Sequence, residues 1–367
     1  MEFLNEYGMF LAQVATFVVA TLVILSAIVG LAQKNKGSEK GHFEIEHFNK
    51  RVLEMEHALD MALTLPGARK GLEKNYRKAE KARDSEAKKG LAKNKGKKNQ
   101  TKGSSEGSPE IKNTPRKRVF VLDFHGDIRA SAVARLREEI TAVLSRATVD
   151  DEVVLRLESP GGVVHGYGLA SSQLDRIKKQ QIPLTVCVDK VAASGGYMMA
   201  CVANKILVAP FAVLGSIGVV AQIPNLHRLL KKHDIDVELM TAGKYKRTLT
   251  MLGENTDEGR EKFQSDIEDT HELFKEFVSS HRPGLDIEAV ATGEVWFGTR
   301  ALAQNLADEL LTSDEYLVSQ VESADVYEIA YVKKKSLQQK IGMAAEESMD
   351  RVLSRWVDRA KDPQLPV

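Results

Sequence analysis

From Phe10 to Ala32 the chain runs 23 residues without a charge, and Gln13 is the most polar of them. At about 1.5 Å rise per residue a helix of that length reaches about 34 Å, enough to cross a bilayer core. A cleaved leader would place Lys or Arg ahead of a shorter apolar run and follow it with a small-residue cleavage site. Met1–Met9 instead holds Glu2 and Glu6 and no Lys or Arg. The run predicts a membrane anchor rather than a signal peptide or a buried core helix. Lys34, Lys36, Lys40, Lys50 and Arg51 follow it, and nothing basic precedes it. The positive-inside rule then leaves the N-terminus outside and the bulk of the chain in the cytoplasm.

The net charge of +1 hides an asymmetry. Between Arg69 and Arg118 there are 18 Lys/Arg against 6 Asp/Glu, a local +12, so the remainder sums to −11. This stretch is rich in Lys, Ala, Gly and Ser and reads as a solvated linker, with a Gly-Ser-Pro tract at Gly103–Pro109. Its charge suits anionic lipid headgroups, or it is a plain spacer. Without interleaved aromatics it does not predict specific nucleic-acid recognition. Cys187 and Cys201 can form no disulfide framework and lack metal-ligand spacing, so no metal is expected.

Ahead of the linker, Ile45, Phe48, Val52, Met55, Leu59 and Ala62 recur at spacings of three and four. They predict an amphipathic helix over Glu44–Leu65, ended by Pro66-Gly67. From Val119 onward apolar strands alternate with amphipathic helices. Strands are expected at 118–124, 153–157, 184–188 and 205–208, and helices at 131–146, 167–179 and from Ser194. That alternation predicts an α/β domain with a mostly parallel sheet covered on both faces. Met349, Val352, Leu353, Trp356 and Val357 form one apolar helical stripe near the end. The expected organisation is a tail (1–9), a transmembrane helix (10–32), an amphipathic helix and basic linker (33–118), a catalytic domain (119–330) and a C-terminal amphipathic region (331–367).

Two strand ends carry Gly-rich turns. In Glu158-Ser-Pro-Gly-Gly162, Gly161 and Gly162 can adopt positive φ and expose N–H groups to an oxyanion, as many ordinary tight turns also can. In Ala192-Ala-Ser-Gly-Gly-Tyr197, Ser194 falls at a helix N-terminus among small neighbours, Ala193 and Gly195. Either it is a nucleophile or it is a simple N-cap. Of nine histidines only His165 lies near such a turn. A desolvated lysine can replace histidine as base, and Lys244 and Lys246 in Thr241–Arg247 alternate beside Gly243.

Val191–Tyr197, Gly215-Ser-Ile-Gly-Val219 and Gly243-Lys-Tyr-Lys246 together resemble the three signatures of the SohB and signal-peptide-peptidase A family. Their order and spacing over about 120–330 are the family's. The resemblance implies a membrane-anchored serine endopeptidase with a Ser–Lys dyad on a Clp/crotonase-like fold of repeated ββα and βα units. It assigns Ser194 as nucleophile, Lys246 rather than Lys244 as general base, and Ser216 as the serine that positions Lys246. Gly161, Gly162 and Gly195 become the oxyanion hole. Asn305 stands where the family usually has Gly, and Asn tolerates the left-handed helix cap expected there.

The implied reaction is peptide-bond hydrolysis through an acyl-enzyme without any cofactor. Peptide or protein substrates, such as signal-peptide remnants or membrane-protein fragments, are the implied partners. The implied setting is the cell inner membrane, single-pass, in a homo-oligomer contacting lipid. The alternatives are an acyl-CoA enzyme of the crotonase type, which needs no Ser–Lys pair, and a non-catalytic membrane scaffold.

Overall fold

The computed structural model describes residues 41–78, 81 and 116–333. The expected membrane helix, most of the basic linker and the C-terminal apolar stripe lie outside these residues.

Strands rich in Val, Leu and Phe on both faces must be covered on both faces, and this sets the architecture. Strands β1 (His42–His47), β2 (Lys117–His125), β3 (Glu152–Glu158), β4 (Leu184–Val188), β6 (Lys205–Val208), β9 (Glu309–Leu310) and β10 (Ala324–Val332) form one sheet. Its order is β1-β10-β2-β3-β4-β6-β9. The pairs from β10 through β9 are parallel. On one face Phe120, Leu122 and Phe124 of β2 meet Leu136 and Ile140 of helix α2 (Val133–Leu144) and Leu174 and Ile177 of α3 (Val164–Lys179). On the other, Val119, Val121, Val154 and Cys187 pack with Phe48 of α1 (Phe48–Leu63) and Leu317 of α9 (Ser313–Gln320). The fold is α/β with the sheet covered on both sides, as the alternating pattern predicts.

A second, three-stranded sheet stands beside the first: β5 (Val191–Ala193), β7 (Val213–Gly215) and β8 (Val295–Phe297). β5 and β7 are parallel, whereas β7 and β8 are antiparallel. The remaining helices are α4 (Gly195–Ala200), α5 (His227–Lys232), α6 (Asp257–His281), α7 (Ile287–Val290) and α8 (Gly298–Ala303). Asn305 has φ +60°, and Leu306 N–H closes back on Ala301 O at 2.9 Å, the left-handed ending expected after α8.

The expected helix over Glu44–Leu65 starts late. His42–His47 is strand β1, paired beside β10 at the edge of the sheet. Past Pro66-Gly67, where a linker was expected, residues 69–78 are helical. The main compact unit runs from Glu44 to Ala330 and includes α1. The reason is burial: Phe48 and Asn49 are inside, and Asn49 donates to Val321 O and Ala324 O while accepting from Val326 N–H. The second unit, described at 41–43 and 331–333, pairs the Phe43 and Tyr331 rings at 5.1 Å.

Candidate active site

The site is assembled where the small sheet meets the end of β3. Ser159, just past β3, makes a lone parallel bridge to Ala192. Its N–H donates to Val191 O at 2.8 Å, and its carbonyl accepts from Ala193 N–H at 3.0 Å. This lays the Ser159–Gly162 turn against the turn after β5. Gly161 adopts φ +90°, and a Cβ there would fall 2.8 Å from both Ser194 Cβ and Gly195 N. Only glycine permits that approach.

Ser194 follows β5 and precedes α4 with φ 51° and ψ −118°, and its side chain makes no cap hydrogen bond. An ordinary N-cap has extended φ/ψ, and its side-chain oxygen accepts from an N–H of the first turn. Ser194 does neither. Its backbone is held in a sparsely populated region by Ser194 N–H donating to Gly215 O at 2.7 Å. The register Ala193↔Gly215 then sets Ser216 beside Ser194. Ser216 also has positive φ, 52°, and its N–H donates to Glu294 O at 2.6 Å. Two non-glycine residues with positive φ thus stand side by side at the ends of paired strands.

The three oxyanion candidates are not equivalent. Gly161 N–H donates to Ser159 Oγ at 3.1 Å, so it is already engaged. Val163 N–H donates to Ile128 O at 2.8 Å. Between them, Gly162 N–H has no partner among the described residues. Gly195, the first residue of α4, has an N–H with no intrahelical acceptor. Gly162 and Gly195 are the available donors, and Gly161 supplies close approach instead.

Lys246 is not brought to this cluster within one chain. It is exposed, in a loop where its backbone N–H donates to Gly243 O, and no hydrogen bond joins it to Ser194 or Ser216 among the described residues. Lys244 is occupied: it pairs with Glu258 at 2.7 Å, and that hydrogen bond raises its hold on its proton, the reverse of what a base needs. His165 is exposed on α3. Both cysteines are buried, and burial pushes each thiol up to about 12, far from a thiolate nucleophile. Among the described residues no group of three or more His, Cys, Asp and Glu side chains is arranged to hold a metal ion.

Sequence reading missed Tyr167 and the Ser159 hydroxyl. Tyr167 is fully buried, and a Cβ on Gly195 would meet its ring at 2.4 Å. The available signal was Gly166-Tyr-Gly168, a large aromatic flanked by glycines eight residues after Ser159.

Two family models match the chain: peptidase family S49 N-terminal over residues 2–174, and peptidase family S49 over residues 176–327. The probable protease SohB of Haemophilus influenzae is 50% identical over 355 residues, covering 97% of this chain and 96% of that protein. The probable protease SohB of Buchnera aphidicola subsp. Schlechtendalia chinensis is 48% identical over 319 residues, 87% of this chain and 100% of that protein. Among solved structures, a membrane-bound stomatin-specific protease, 1510-N, in complex with a substrate peptide is similar at 14% identity. It covers 62% of this chain and 96% of its own, with a TM-score of 0.38.

Proposed function

The chain belongs to peptidase family S49 and is a serine-type peptidase, and we propose that Ser194 is its nucleophile, Lys246 its general base and Ser216 the residue that positions Lys246. The observation that carries this reading is Ser194 itself: strained, uninvolved in capping, and flanked by two uncommitted N–H groups.

In this mechanism neutral Lys246 takes the Ser194 proton as Oγ attacks the scissile carbonyl. The resulting oxyanion accepts hydrogen bonds from Gly162 and Gly195 N–H. Lys246 protonates the leaving amine, then deprotonates the water that hydrolyses the acyl-enzyme. A lysine can act so only when desolvated. The segment carrying Lys246 is open in one copy, with Val220 91% and Met240 86% exposed and Leu229, Val237 and Met251 also uncovered. A second copy laid over this apolar surface would exclude water from Lys246 and deliver it to a neighbour's Ser194. The active form in this reading is a homo-oligomer on a Clp/crotonase-like scaffold.

Phe10–Ala32 would anchor it in the inner membrane with the domain beyond Val119 in the cytoplasm, by the flanking-charge argument. The substrates are then peptide segments close to the bilayer, such as signal-peptide remnants or membrane-protein fragments. Protease added to intact spheroplasts is expected to spare this domain; its degradation before lysis would reverse the topology.

Complementation tests the dyad. Ser194→Ala and Lys246→Ala are each expected to be inactive, while their co-expressed mixture regains casein hydrolysis at junctions that combine an intact serine with an intact lysine. A mixture as inactive as its components would rule out sharing between copies.

A further inference from the structure

Beneath the two turns runs a buried chain of hydrogen bonds. Gly161 N–H donates to Ser159 Oγ at 3.1 Å, the Ser159 and Tyr167 hydroxyls lie 2.6 Å apart, and Tyr167 Oη donates to Asp127 O at 2.8 Å. A phenol has one proton and a carbonyl only accepts, so the Tyr167 proton is committed to Asp127. Ser159 must therefore be the donor to Tyr167. Every bond in the chain runs the same way, from Gly161 through Ser159 and Tyr167 to Asp127, and each polarises the next. Ser159 and Tyr167 are both fully buried, so water does not compete for these groups.

Tyr167 touches both halves of the site. Its ring lies against Gly195, and through Ser159 its hydroxyl governs Gly161. Ile128 belongs to the same loop as Asp127 and accepts from Val163 N–H. The peptides on either side of Gly162 are thus both pinned, Gly161 through the Tyr167 chain and Val163 to Ile128, and the Gly162 N–H between them is left over.

We propose that Tyr167, acting through Ser159, is a positioning residue for the oxyanion-binding turn: it holds Gly162 N–H in register with Gly195 N–H beside Ser194. This rests on the oxyanion role given above to Gly162 and Gly195. It goes beyond that role by naming what aims the donors. A merely space-filling Tyr167 would need only its ring, which packs against Gly195 and lies 6.4 Å from the Phe124 ring. Positioning needs the hydroxyl.

The test compares Tyr167→Phe, Ser159→Ala and the double variant with wild type, as full chains in detergent. Three quantities are measured: hydrolysis of fluorescein-labelled casein, the rate of Ser194 labelling by a fluorophosphonate, and inhibition by a peptide aldehyde, whose adduct carries a tetrahedral oxyanion. Each single variant is expected to lose roughly ten- to hundred-fold in kcat, the scale of a misplaced donor. KM should stay within about twofold, since ground-state binding does not use the oxyanion donors. The aldehyde should weaken in step with kcat/KM. The double variant should be no worse than the poorer single one, because both break the same chain.

Wild-type kcat in both single variants, or a loss confined to KM, would overturn the proposal. So would additive losses in the double variant. Ser194→Ala is measured alongside. Activity in Ser194→Ala would overturn the nucleophile reading itself. An inactive Ser194→Ala with fully active Tyr167→Phe and Ser159→Ala would overturn positioning alone. If Tyr167→Phe does not fold, Ser159→Ala carries the same expectations by itself.

Discussion

Gly161 is where the Ser159–Gly162 turn and the turn after β5 press together. At φ +90° it occupies backbone space that L side chains rarely adopt, and an added Cβ would sit 2.7 Å from Ala193 O and 2.8 Å from Ser194 Cβ. Gly161→Ala must push the turns apart. Its casein hydrolysis is expected to fall by about 10²-fold or more, as for a displacement near 1 Å at a reacting centre. Circular dichroism should show the fold retained. A Gly161→Ala protein with wild-type turnover would contradict the close approach. The serines and glycines of both turns were legible in the sequence, because their spacing after apolar strands is a local pattern. Tyr167 was not, since a tyrosine at the start of an amphipathic helix looks like any core residue. Only the fold brings its hydroxyl to Ser159. The distinction between Gly161 and Gly162 was equally hidden, because it depends on which N–H already has a partner.

At the scale of elements, the β5–β7 register does the decisive work. It sets Ser194 and Ser216 side by side although 21 residues separate them in the chain. Strands β2, β3, β4 and β6 of the large sheet were legible as apolar runs, and α2 and α3 as stripes of period 3.6. β1 was misread because Ile45 and Phe48 also satisfy a helical spacing of three. The short run His42–His47 could not settle the period alone, and its pairing at the sheet edge decides it. Helix α1 has no side-chain N-cap bond. Asn49 fixes it instead, bonding three backbone groups of the Val321–Val326 segment. Asn49→Ala leaves Val326 N–H without this acceptor, while Val321 O keeps Arg116 as a donor at 3.1 Å, and should cost about 1–3 kcal/mol, the scale of one unsatisfied buried group. Urea unfolding measures it, and a midpoint within error of wild type would show that α1 docks by apolar contact alone.

For the whole molecule, the sheet supplies a rigid frame, and the two turns gather at one corner of it. In the proposed mechanism the base is Lys246, which lies in an exposed segment that one copy leaves uncovered. In this account a single chain is half of a catalytic unit, which explains why sequence motifs could name the dyad while one folded copy does not close it. Catalysis by Ser194 is the claim on which all the rest depends. Peptide mapping of the full-length protein after treatment with a fluorophosphonate tests it most directly. One phosphonyl group per chain should be found on the peptide containing Ser194, with loss of casein hydrolysis in proportion to labelling. Ser194→Ala should take up none. Labelling of another residue, or undiminished hydrolysis after stoichiometric labelling of Ser194, would contradict the account.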